Sequence, residues 1–480
     1  MKNIITYFEE LSQIPRKSGD EKRVSDYLAS FARERGFEAV QDDIYNLIVK
    51  IPASEGSTCG ETVILQGHMD MVYVEAEGTS HRYEEGIKIL RDGDSLYADG
   101  TTLGADNGIA LACMMALMDQ ADVIRHPALE MIMTVNEEHG LIGAQKLDVS
   151  GLEGKYFINL DSEEEGVFCT SCAGGIRNLI KLPFQRETCE GSYEEFKIEI
   201  GGLTGGHSGM EIHLERGNAI QMLGRLMYRL KEENVRYGQI DFPGQANAIA
   251  SGGSVVLYAD ESRMERVSEK IRILEEELIQ ELAFTDQVKF TVQRDKKSVI
   301  HVYDQTAAGK LCNLLMLMPC GVLHDSYAVE GLVETSNNMG ALIENEGKLE
   351  LLSAVRSAVQ SRKYVVRDQI RILADMYGAE CEFMSDYPAW SYKKDSRLRT
   401  LAMEVYQELT GQEAKIEAIH AGLECGYWAG KMPEADIISL GADMKDVHTP
   451  KETASVKSAE SVWNYLCTLL GRIKEETKDK

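Results

Sequence analysis

Basic charge is the first thing this chain is short of: 51 Lys and Arg face 78 Asp and Glu, a formal net charge of -27. So acidic a surface does not neutralise phosphates, which argues against a nucleic-acid partner and against docking on an anionic membrane. Long apolar runs are missing too. None approaches the ~20 residues of a membrane span. The opening MKNIITYFEELSQIPRKSGDEKRVSDYL mixes charges with helically spaced apolar residues, where a signal peptide needs an unbroken apolar stretch. Paired cysteines are also scarce. Of ten, only Cys169 and Cys172 form a CxxC, and a zinc ribbon needs a second such pair. These absences together lead to the expectation of a cytoplasmic protein in a reducing compartment. Low-complexity segments and long linkers are absent as well.

What is present is ample core material, 44% hydrophobic over 480 residues, enough for two or three domains of roughly 150 residues each. Up to about residue 184, strand and helix signals alternate. NLIVKI, ETVILQGHMDMV, ALEMIMTV and KYFINL read as strands, and ADNGIALACMMALMDQ as a helix with an apolar face. Such alternation predicts an α/β domain with a mainly parallel sheet sandwiched by helices. The texture changes near 185, where amphipathic strands such as SYEEFKIEIGGL and KLELLSAVRS mix with long charged helices, and a similar order recurs. This predicts an inserted α+β domain over 185–390, with a hint of internal duplication. The first texture returns with LRTLAMEVYQELTG, ADIISLG and SAESVWNYLCTLLGRIKEE, so 1–184 and 391–480 form one discontinuous domain.

Polar residues gather just after the predicted strands, the place where open α/β sheets bind ligands. They are His68 and Asp70 after VILQ, Glu137 and Glu138 after IMTVN, Asp161 after FINL, and His448 after IISLG, with Asp106 opening a helix. Each has a plain alternative. Asp106 could be a helix N-cap, Glu137 and Glu138 a solvated turn, and DSEEE a solvated acidic loop. His68 and Asp70, two apart on extended backbone, point to the same side, so the carboxylate can orient the imidazole. Adjacent carboxylates repel unless a cation or proton intervenes. Taken together, two histidines and three carboxylates suit two zinc ions, one His and one acid each with a third acid bridging. Mn²⁺ and Co²⁺ suit the same donors.

At these residues the sequence resembles the aminoacyl-histidine (Xaa-His, carnosinase-like) dipeptidases. These are a branch of the zinc-peptidase family that also holds tripeptidase T, glutamate carboxypeptidase and acetylornithine deacetylase. The likeness runs nearly end to end: IPRKSGDE, LQGHMDMV, DGTTLGADNGIA, TVNEEHGLIGA, INLDSEEEG, LTGGHSGMEIHLERGNAI, SAVRS, IHAGLECGYW and VHTPKE. It implies a zinc-peptidase-like catalytic domain and a lid/dimerisation domain in a homodimer. His68 and Asp161 would share one divalent metal ion, Glu138 and His448 the other, and Asp106 would bridge them. Asp70 would orient His68, and Glu137 would be the general base. His207, in GGHSG, would help hold the oxyanion. Arg356 would grip the substrate carboxylate, with Asn247 as a further substrate contact and Glu424 meeting the substrate amino group. Read alone, His207 could be a turn histidine and Arg356 a surface ion pair. Ser208 does not make a nucleophile elbow, because Met210 stands where GxSxG needs glycine. Three rivals remain: an N-acyl amino acid deacylase on the same metal core, a non-catalytic metal-binding protein, and, further off, a serine hydrolase.

Overall fold

The computed structural model describes residues 2–55 and 61–476. The chain forms two compact units, one of Met1–Ser171, Tyr392–Ala418 and Leu423–Lys480, the other of Cys172–Ser391 and Ile419–Gly422.

The first unit is built on an eight-stranded sheet. Its order is Glu38–Gln41, Leu47–Ile51, Leu129–Thr134, Val63–His68, Tyr156–Asn159, Asp436–Ser439, Val167–Cys172 and Lys415–Ile419. The middle four strands pair in parallel, as expected, and antiparallel pairs flank them. Val63–His68 and Leu129–Thr134 are buried at every position. Covered on both faces, they read as mainly apolar runs rather than as alternation. Helix Ala105–Gln120 is buried almost all round. Two glycines in the motifs let it approach so closely. A Cβ on Gly67 would fall 2.4 Å from Asn107 Oδ1, and one on Gly108 would fall 2.6 Å from Phe8.

The second unit holds two antiparallel sheets. The first has the order Arg236–Asp241, Gly253–Asp260, Arg186–Gly201, Lys289–Tyr303. Helices Ala219–Arg229 and Met264–Glu281 complete a strand–helix–strand, strand–helix–strand pattern along the chain. Its inward side is legible by alternation: Phe196, Ile198 and Ile200 are buried at a spacing of two. The second sheet runs Gly321–Asp325, Val333–Asn345, Lys348–Ser357, Gly174–Pro183, Glu380–Tyr387, with helices Gln305–Leu317 and Gln360–Tyr377. The same pattern thus occurs twice, the second time with one extra strand. The whole first copy is inserted between strand Gly174–Pro183 and helix Gln305–Leu317 of the second.

The division between units falls at Ser171/Cys172 rather than at 184/185. The reason is pairing: Gly174–Pro183 lies between Lys348–Ser357 and Glu380–Tyr387 along nearly its whole length. Among the described residues, no helix is long and apolar enough to cross a membrane.

Candidate active site

In the first unit, loops leaving one edge of the parallel strands bring five side chains together. His68 closes its strand and is buried. Its Nε2 lies 3.0 Å from Asp106 Oδ1 and 3.3 Å from Asp161 Oδ1. His448 Nε2 lies 3.0 Å from the other Asp106 oxygen, Oδ2, and 2.9 Å from Glu138 Oε1. Asp106 therefore stands between two histidines, one oxygen turned to each. Donor atoms of His68, Asp106 and Asp161 lie within 4.8 Å of one another, and so do those of Asp106, Glu138 and His448. His68 with Glu137 and Glu138 makes a third such group. Each group could hold a metal ion.

Two observations test that fit. Glu138 Oε1 is buried without a well-formed hydrogen bond although an imidazole nitrogen stands beside it, as lone pairs aimed at a common point do. The second is charge. Burial alone would depress the His68 imidazolium, yet Asp161, Asp106 and Asp70 raise its pKa well above the ordinary value. Contacts with Asp106 and Glu138 hold His448 up to about 10. Burial pushes Asp161 up to about 6 against the pull of His68, with Asp106 and Glu138 adding to the rise. Burial also raises Glu137 well above the carboxylate range, helped by Asp161, Glu424 and Glu138. Carboxylates packed this closely demand positive charge, as protons or as cations.

The expected N-cap alternative for Asp106 fails. The N-cap position of helix Ala105–Gln120 is Gly104, which has no side chain to cap with, and Asp106 itself has non-helical φ -77 and ψ 109. That departure frees the carboxylate to face the histidines. Asp70 takes a wider part than expected. His68 Nδ1 lies 3.1 Å from the Asp70 carbonyl oxygen and 3.5 Å from its carboxylate. The carboxylate accepts from the Glu137 and Glu138 backbone N–H groups at 3.0 and 3.3 Å, and from the Ser18 hydroxyl at 2.8 Å. One buried acid thereby ties the His68 turn to the Glu137–Glu138 turn. Glu424 lies deeper, with no exposed surface. Its Oε2 accepts from Gln66 and from Thr134 at 2.8 Å, and Oε1 has no hydrogen bond. Burial pushes its pKa up to about 8.

The second unit has its own cluster. Arg356 is buried at the end of strand Lys348–Ser357 and donates to the Tyr387 hydroxyl at 3.0 Å. His207 is half-buried; its Nδ1 accepts from the backbone N–H of Met210 at 3.1 Å and faces that of Gly209 at 3.3 Å. His420 is buried, with Nε2 2.7 Å from Ser336 Oγ. Burial and the Arg356 charge lower both imidazoles, His420 to about 3. The Asn247 side chain is exposed, and its carbonyl accepts from the Ser208 N–H at 2.8 Å. Asn338 holds that loop by donating to the Ala246 and Ala248 carbonyls. Ser208 is 1% exposed, so its hydroxyl is closed off from substrate.

The model of the peptidase family M20/M25/M40 matches residues 64–472, which span every one of these five side chains. The chain belongs to that family. It is a hydrolase of peptide bonds, of the α/β fold expected. The cytosol non-specific dipeptidase of Escherichia coli (strain K12) is 34% identical over 473 residues, covering 97% of this chain and 96% of the relative. The crystal structure of an aminoacylhistidine dipeptidase from Vibrio alginolyticus matches with a TM-score of 0.92 at 31% identity, covering 97% of this chain and 96% of the other. An aminopeptidase structure from Bacillus cereus matches with a TM-score of 0.61 at 17% identity, a likeness of fold, covering 98% of each chain.

Sequence reasoning missed the residues that hold this peptidase's site in shape. Asn107 is buried, accepting from the His68 N–H at 3.1 Å and donating to the Leu160 carbonyl at 2.7 Å, so it sets the spacing of the segments that carry His68 and Asp161. Glu21 accepts from the N–H groups of Gly19 and Asn136. Lys431 donates to three carbonyls, of Ala144, Gln145 and Leu147, at the end of the short helix after the Glu137–Glu138 turn. The only sequence signal for Asn107 was its place inside ADNG.

Proposed function

We propose that this peptidase hydrolyses dipeptides of the Xaa-His type, and a broader set beside them, using two divalent metal ions, with zinc first and manganese or cobalt as substitutes. The observation that carries the reading is Asp106, whose two carboxylate oxygens each lie 3.0 Å from a different histidine. His68 and Asp161 would hold one ion, Glu138 and His448 the other, with Asp106 shared. Bound there, a metal pair polarises a substrate carbonyl and lowers the pKa of a water molecule.

The chain's own residues do the rest. Glu137 takes a proton from the attacking water and delivers it to the leaving amine. Its raised affinity for a proton, caused by burial among other acids, suits it to that exchange. Asp70 holds the His68 ring and the Glu137 backbone in one arrangement. Among the second unit's residues, His207 is the proposed oxyanion partner. Its depressed pKa keeps it neutral at pH 7, a hydrogen-bonding group rather than a competing cation. Arg356 suits a substrate carboxylate, because a guanidinium pairs with it in two parallel bonds, and Asn247 would add a hydrogen bond. Glu424, the sequence's candidate for a substrate ammonium, has no exposed surface and holds its proton up to about pH 8, so it is left out of direct substrate contact. The proposal includes a homodimer working in the cytosol, with the second unit, Cys172–Ser391 and Ile419–Gly422, serving as lid and dimerisation domain.

The test is a dipeptide panel that includes β-alanyl-histidine and N-acetylated controls, assayed before and after thorough chelation and again after adding Zn²⁺. Cleavage of free dipeptides, lost on chelation and restored by Zn²⁺, is expected. Preference for the N-acetylated compounds would make the protein a deacylase instead, and full activity without metal would sink the mechanism.

A further inference from the structure

Two charged residues outside the ligand set meet on the turn that presents Asp106. Arg16 is 1% exposed. Its Nη1 donates to the carbonyls of Met69 at 3.0 Å and Asp70 at 3.1 Å, and its Nη2 donates to the Gly104 carbonyl. Glu452 is 3% exposed and does the converse. Its carboxylate accepts from the backbone N–H groups of Leu103 at 2.8 Å, Gly104 at 2.9 Å and Ala105 at 2.8 Å, with that of Asp106 at 3.4 Å. Residue Gly104 is gripped from both sides, its N–H by the Glu452 carboxylate and its carbonyl by the Arg16 guanidinium. Arg16 also links this turn to the two residues after His68. The slot is sealed: a Cβ on Gly104 would fall 2.8 Å from the Arg16 guanidinium, and one on Gly108 would fall 2.6 Å from it.

A buried guanidinium bonded only to carbonyls, with Nε left unpartnered, is a costly way to stabilise a fold. Both charges here are spent on the backbone that aims His68 and Asp106. We infer that Arg16 and Glu452 are positioning residues for the metal pair. They clamp residues 103–106 from opposite polarities and so fix the separation of the Asp106 carboxylate from the two histidines. The inference rests on the two-metal reading above.

The experiment uses the full chain, metal-free, titrated with Zn²⁺ against a chromophoric chelator, for wild type, Arg16→Lys and Glu452→Gln. Lysine keeps the charge but has one nitrogen where the guanidinium reaches two separate turns with two, and glutamine keeps the shape but not four acceptor directions. Both variants should bind Zn²⁺ ~10–100-fold more weakly, the usual cost of losing a group that orients ligands. Their metal-free unfolding midpoints should stay close to wild type. With Co²⁺ as the probe, the visible absorption spectrum should change shape, which a purely structural role would not cause. Affinities within twofold of wild type in both variants would overturn the clamp. So would loss of the metal-free fold in both, which would make the pair a folding device. Wild type that binds no Zn²⁺ would sink the two-metal reading itself; two ions in wild type with unchanged variants would sink only the clamp.

Discussion

Two pairs of histidines in this protein sit in opposite electrical worlds. In the first unit, His68 and His448 lie among Asp106, Asp161 and Glu138, and both are pulled towards the protonated form. In the second unit, His207 and His420 lie near Arg356, and both are pushed towards the neutral form, His420 to about 3. Burial acts in the same direction on all four, against the charged ring. What differs is the sign of the neighbours. An imidazole among carboxylates becomes a place for a cation. An imidazole beside a guanidinium becomes a neutral donor or acceptor, suited to an anionic group. The difference teaches that residue type does not set a histidine's role; the charges packed round it do.

The largest effect expected on the acidic side comes from Glu137→Gln. It should lower kcat by ~10²–10⁴-fold, the contribution of a positioned acid-base group, while Zn²⁺ per chain stays as in wild type. Normal turnover would remove Glu137 as the base. On the other side, His207→Ala should lower kcat by ~10²–10³-fold, as loss of an oxyanion partner does, again with metal content unchanged. A change confined to KM would assign His207 to substrate binding instead.

A smaller effect should appear in the pH dependence of stability in the metal-free protein. The folded pKa of His420 is about 3, below its ordinary 6.5, so the unfolded chain binds more protons between those values. Stability should therefore fall as pH drops from 6.5 towards 3. Glu424 has a folded pKa of about 8, above its ordinary 4.5, so the folded chain holds the extra proton and stability should fall as pH rises from 4.5 towards 8. Denaturant midpoints across pH should show His420→Asn flattening the acid limb and Glu424→Gln flattening the alkaline one. Unchanged limbs would show that these two groups do not set the slopes. Smallest of all, Ser208→Ala should leave kcat/KM within about twofold, the size of effect expected away from reacting atoms; abolished activity would revive the serine-hydrolase reading.

Much of the candidate ligand set was legible because its residues follow apolar runs. VILQGH, EMIMT, FIN and DIIS each end where a polar residue becomes conspicuous, and the structure brings His68, Glu138, Asp161 and His448 together at those ends. The acidic loop DSEEE shows the limit. Asp161 turns inward while Glu163 and Glu164 are exposed, and nothing in five consecutive polar letters separates them. Arg16 and Lys17 are neighbours of the same charge, yet one is sealed in the core and the other exposed. The strand Gly174–Pro183 was missed as a boundary because it pairs with segments more than 150 residues further along, such as Lys348–Ser357.

The sequence by itself determined the identities of the metal-ligand candidates, the alternation of buried strands with apolar helices, and the change of texture that marks a second domain. These follow from local periodicity and from which side chains can hold a cation. Only the tertiary structure decided that Asp106 faces two histidines at once, that Arg16 and Glu452 grip its turn, and that two histidine pairs are tuned in opposite senses. The partner and the burial of a charged side chain are set by residues distant in the chain, and electrostatics inside a protein depends on distance in space rather than on spacing in sequence.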